Sequence, residues 1–95
     1  MLVLQKVFHL INQPHKIVSQ YYLDNICELA EVRCDESHPQ AYHHLAWMCH
    51  TIIHKPMSDT KANRWLGYVQ GVLAVNDKLC VASERTRTRE TFGGL

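Results

Sequence analysis

What this chain lacks narrows the field before anything it contains. Ten Lys and Arg almost cancel nine Asp and Glu, leaving a formal net charge of +1. Without a field of one sign, wholesale electrostatic capture of nucleic acid is not indicated. No apolar run approaches the ~18 residues that suggest a membrane span, so no membrane partner is expected. The apolar start is interrupted by Lys6 and His9 and no small-residue cleavage site follows, so it does not read as a signal peptide. The cysteines Cys27, Cys34, Cys49 and Cys80 form no C-x-x-C pair. Each sits in or beside an apolar helical pattern, which points to reduced thiols in an intracellular protein. A disulfide framework belongs to loop-rich hosts. Repeats, low-complexity tracts and internal boundaries are missing as well, so residues 1–95 read as a single helical domain with 92–95 as a frayed tail.

Catalytic signatures are also missing. There is no nucleophile elbow, phosphate-binding glycine loop or dinucleotide fingerprint. Cys49 and His50 are adjacent, but neighbouring helical side chains point about 100° apart and pair poorly. No pairing of carboxylates suggests acid–base work. The expectation is a protein that is not an enzyme and carries no cofactor.

What the chain does have is helical periodicity. Leu4, Val7, Phe8 and Ile11 suit a helix over residues 2–12, with a strand as the alternative, and Asn12-Gln13-Pro14 ends that element. Val18, Tyr22, Ile26 and Leu29 predict a second helix from His15 to Arg33. Asp24, Glu28 and Glu31 lie elsewhere on its surface and form an acidic region with Asp35 and Glu36, read as a solvated face or as a contact for a basic partner. Ser37 with Gln40 fits a capping box, and Pro39 is tolerated in a first turn. The third helix then carries Ala41, Leu45, Met48 and Ile52 and closes at Lys55-Pro56. Trp47 and Ile53 lie off that stripe, which suggests burial on more than one side or an apolar contact surface. Ser58 is the N-cap of a helix from Asp59 to Val75, and Asn76-Asp77 is its C-terminal turn. A short helix over Val81–Thr91 follows. The fold class is all-α, a small helical bundle of three main helices with short terminal helices. Its core should include Leu4, Phe8, Val18, Tyr22, Ile26, Leu29, Leu45, Met48, Ile52, Trp65, Val69, Val72 and Leu73.

The chain is organised around its central helix. Ala62, Trp65, Leu66, Val69, Val72 and Leu73 share one apolar stripe, and Gly67, Gly71 and Ala74 share an adjacent one. Glycine inside a helix costs roughly 1 kcal/mol against alanine. Two glycines one turn apart therefore need a reason, and close approach of another backbone is the usual one. A second helix is expected to cross there, from within the chain or from a second copy. Gly67, Gly71, Ala74, Arg64 and Tyr68 are the candidate seam, and a homodimer is the expected assembly.

Two other constellations compete with this one. Arg85, Arg87 and Arg89 alternate along the last helix and, with Arg64, could contact phosphates. The bland reading is a solvated tail, and a third is docking of the tail on the acidic region. His50 and His54 are one turn apart, with His43 nearly aligned, and such a set can chelate a transition metal. The zinc-protease signature H-E-x-x-H is not present, because His50-Thr51-Ile52-Ile53-His54 has no glutamate.

The box Lys61-Ala62-Asn63-Arg64-Trp65-Leu66-Gly67-Tyr68-Val69-Gln70-Gly71-Val72-Leu73 resembles a segment found in small bacteriophage and prophage proteins of unknown function. Upstream Ala41-Tyr42-His43-His44-Leu45-Ala46-Trp47-Met48-Cys49 and downstream Glu84-Arg85-Thr86-Arg87-Thr88-Arg89 extend the similarity over residues 41–92. The resemblance brings no fold and no catalytic residue. It implies the bacterial host cytoplasm as the setting, and a role exerted by binding a host or phage protein, such as inhibition of a host defence or host takeover.

Overall fold

Pro14 opens the first described helix of the computed structural model, which describes residues 13–26 and 31–93. The element expected over residues 2–12 lies outside the described residues. Helix α1 spans Pro14–Asn25, α2 Tyr42–His54, α3 Asp59–Val75 and α4 Val81–Gly93. No strand occurs among the described residues. The chain is a small all-α bundle, as its periodicity predicts.

Pro14 sits at the first helical position. Its missing N–H is one that a first turn leaves unbonded anyway, and its fixed φ suits the helix. At the other end α1 stops well before Arg33. Ile26 is a turn, and residues 31–35 have no regular structure. The Asn25 side-chain amide donates to the Tyr21 carbonyl at 2.9 Å, taking up an end carbonyl of α1. Beyond the turn, the backbone is tied to another helix: the Arg33 N–H donates to the His43 carbonyl at 3.2 Å.

The expected start of the third helix is also corrected. Ser37 and Gln40 do not form a capping box; residues 36–40 make turns, and α2 begins at Tyr42 after Ala41, with no side-chain cap. Successive bonds from His38 N–H to the Asp35 carbonyl (3.1 Å) and from Ala41 N–H to the His38 carbonyl (3.0 Å) absorb the residues that a capped helix would have used. Helix α3 matches its sequence signals at both ends. The Ser58 hydroxyl accepts the Lys61 N–H at 3.2 Å, and Asp59 occupies the first turn. At the C-terminus, Lys78 N–H reaches the Leu73 carbonyl at 2.8 Å and Asp77 N–H the Ala74 carbonyl at 3.1 Å. These are the two bonds of a Schellman motif. Asp77 takes the left-handed conformation, φ 59°, that glycine more often supplies.

The core joins Val18 and Tyr22 of α1, Leu45, Met48, Cys49 and Ile52 of α2, and Leu66, Val69 and Leu73 of α3. Ile26, Trp65 and Val72, expected inside, pack against this core while staying partly exposed. Leu4, Phe8 and Leu29 lie outside the described residues. Helix α1 lies along α2, α2 along α3, and α4 packs on α1. Helix α4 continues through Gly93, past its expected end, and carries no apolar stripe of its own.

Candidate interaction surface

Helix α3 buries Ala62, Leu66, Val69 and Leu73. The opposite face should be polar in a surface helix. Its first half complies, with Thr60, Asn63 and Arg64 exposed. Its second half does not: Gly67, Tyr68, Gly71 and Val75 are exposed and Ala74 is half-buried. Val75 is 83% exposed, the most open large apolar residue described.

Among the described residues, no part of this chain crosses the two glycines. A Cβ built on Gly67 or on Gly71 meets nothing within 4 Å. The physical reason is the course of α4, which packs on α1 and leaves the outward face of α3 uncovered among the described residues.

Two grooves flank this face. One, of about 440 Å³, lies between α3 and α4 and is lined by Gln70, Gly71, Ala74, Leu79, Glu84, Arg85, Thr88 and Arg89. The other, of about 320 Å³, is lined by Gln40, Gly67, Tyr68, Gly71, Val72, Val75 and Asn76. Gly71 belongs to both, so the fold gathers Gly67, Tyr68, Gly71 and Ala74 at one double groove. Arg64 is exposed on α3 but lines neither groove. Arg85 and Arg89 share a wall of the first groove, and Arg87 lies on the same helix. No ion pair joins Arg85 or Arg89 to the acidic region among the described residues.

A buried polar knot that the periodicity did not reveal closes the inner end of the first groove. The fully buried Tyr22 hydroxyl donates to Glu84 of α4 and accepts from the Gln70 amide of α3 at 3.0 Å. The available clue was general: a buried tyrosine hydroxyl ordinarily finds a partner. The Thr88 hydroxyl oxygen is also buried, with no hydrogen-bond partner among the described residues.

Within the acidic region, Asp35 is held by the start of α2 and by its own loop. Asp35 accepts from His43 at 2.7 Å and lies near His38 and Arg33. The hydrogen bonds of His43 first and then His38 hold its carboxyl at about 2, below the usual 3.8. The Asp35 N–H donates to Nδ1 of His44 at 2.9 Å, so two adjacent histidines of α2 hold one aspartate by side chain and backbone.

That arrangement separates the histidines proposed as metal ligands. His43 is engaged by Asp35, whereas His50 and His54 are exposed with ring centroids 4.3 Å apart. No group of three or more His, Cys, Asp or Glu among the described residues is placed to hold a metal ion. Cys34 and Cys80 are exposed free thiols, and Cys49 is buried in the core. Cys80 precedes α4, and hydrogen bonds from Ser83 and the Ala82 N–H lower its pKa.

These features define a small all-α bundle with an apolar helix face left open among the described residues. No family model matches the chain, and no curated protein or solved structure is significantly similar to it. No described helix is long and apolar enough to cross a membrane.

Proposed function

We propose that this chain is a non-enzymatic phage accessory protein that works by protein–protein contact in the bacterial cytoplasm, as a homodimer joined through α3. The observation that carries the contact reading is the pair of exposed glycines. They cost the helix roughly 2 kcal/mol together and have no packing reason inside the described chain. Two copies of α3 crossing antiparallel about a two-fold axis place Gly67 of one opposite Gly71 of the other, a self-complementary arrangement. Tyr68 and Val75 then lie at the edges of the seam. The phage setting rests on the resemblance of residues 41–92, and the client is a host protein such as a defence enzyme.

Sedimentation of the wild type beside Gly71→Leu tests the seam. A concentration-dependent dimer that Gly71→Leu abolishes, with the helical signal intact, is the expected result; a wild type that stays monomeric at every concentration removes the dimer. Affinity capture from bacterial lysate, with and without nuclease, tests the client. A stoichiometric protein that survives nuclease supports the proposal, and capture that vanishes with nuclease replaces it. The replacement is a nucleic-acid-binding regulator using Arg64, Arg85, Arg87 and Arg89. It is favoured by two arginines on one groove wall that form no ion pair among the described residues, and salt-dependent binding to DNA or RNA is its signature.

A further inference from the structure

Arg85 and Arg89 stand one turn apart on α4, and both line the 440 Å³ groove. Like charges at this spacing cost a helix a few tenths of a kcal/mol. Neither forms an ion pair among the described residues. The groove also holds Glu84, which accepts from the Tyr22 hydroxyl and stays anionic, so the two arginines leave its lining with one net positive charge. Facing the arginines across the groove are Gly71 and Ala74 of α3, with Leu79 of the connector beside them. The missing side chain at Gly71 leaves the space open, since even a Cβ there would touch nothing. The result is an apolar trough with a cationic edge, in the size range of small-molecule sites, roughly 300–1,000 Å³.

We propose that this groove binds an apolar small molecule that ends in a carboxylate. Its hydrocarbon body lies against Gly71, Ala74 and Leu79, and its head takes the planar donor forks of Arg85 and Arg89, which match carboxylate geometry. The site does not require the α3 dimer, but Gly71 and Ala74 border both, so ligand and second copy are expected to influence one another.

The test is an amide chemical-shift titration of the full chain with decanoate below its micelle concentration. Decanol and decyltrimethylammonium serve as probes of equal chain length and different charge. Saturable shifts confined to Gly71, Ala74, Leu79 and Thr88 are expected, with decanoate binding about tenfold tighter than decanol. The double variant Arg85→Gln/Arg89→Gln should erase that difference while leaving the remaining spectrum unchanged. Equal binding of all three probes, or shifts centred elsewhere, would overturn the proposal. So would Leu79 and Thr88 signals, outside the α3 seam, that move with protein concentration alone, since that would make the second copy the occupant. Loss of the dimer in sedimentation, with decanoate binding retained, would sink the seam and spare this site.

Discussion

The two flanks of α3 are built to opposite plans. Towards α2 the helix is closed by a stack of rings. The His44 and Trp47 centroids are 5.4 Å apart, those of Trp47 and Trp65 5.5 Å, and the Lys61 ammonium lies 5.1 Å from the Trp65 ring. Beneath the stack, Leu45, Val69 and Leu73 are fully buried. Towards α4 the same helix offers Gly71 and Ala74 to an open groove, and α4 is held through the Tyr22 knot. Stability is therefore concentrated on one side of α3 and accessible surface on the other. Since a surface that binds must be free to do so, the open flank is where function is sought.

The sharpest way to break the closed flank is Leu73→Ala. It removes a fully buried side chain from the α3 core, and a loss of about 2–5 kcal/mol in urea unfolding is expected. Next in size is Tyr22→Phe, which leaves Gln70 and Glu84 short of a partner they share. A loss of about 1–3 kcal/mol is expected. Hydrogen exchange sharpens the contrast: amides of α4 should lose protection while those of the α2–α3 core keep theirs. Equal loss in both would show that the open flank is as integrated as the closed one.

Gly71→Ala runs in the other direction. With nothing within 4 Å of the added carbon, helix propensity alone acts, and the monomer should gain up to about 1 kcal/mol. The same change should weaken dimerisation, because it thickens the seam. A variant that is less stable as a monomer would place unseen atoms over this face.

The smallest expected effect is at the loop that joins α1 to α2. The Asp35 carboxyl is lowered in the fold from 3.8 to about 2, so its contribution is fully present above the ordinary carboxylate range. That contribution fades as pH falls through about 2. Asp35→Asn should flatten the acid limb of a stability curve, and indistinguishable wild-type and variant curves below pH 4 would refute the assignment.

Much of this architecture was legible in the residues, and the exceptions are instructive. Ser58 and Asp59 announced the start of α3, and Asn76-Asp77 its end, because caps and end turns are local chemistry between residues a few positions apart. The stripe of Leu45, Met48 and Ile52 announced the core face of α2 for the same reason. Ser37 and Gln40 carried an equally good local signal, yet the loop preferred bonds to His43 and His44, which no local pattern contains. The early end of α1 has the same character, since Arg33 is drawn to the backbone of another helix.

The sequence alone thus determined that the chain is helical, where α3 lies, which residues line most of its core, and that Gly67 and Gly71 call for an explanation. Only the tertiary structure decided that no neighbour within the described chain supplies one, that Arg85 and Arg89 border the same groove as Gly71, that His43 serves Asp35 apart from His50 and His54, and that Tyr22 ties three helices together. The division has one physical reason. Periodicity and capping act over a turn or two of chain, whereas the course of α4 and the pairings of Asp35 and Tyr22 depend on distances between residues far apart in sequence.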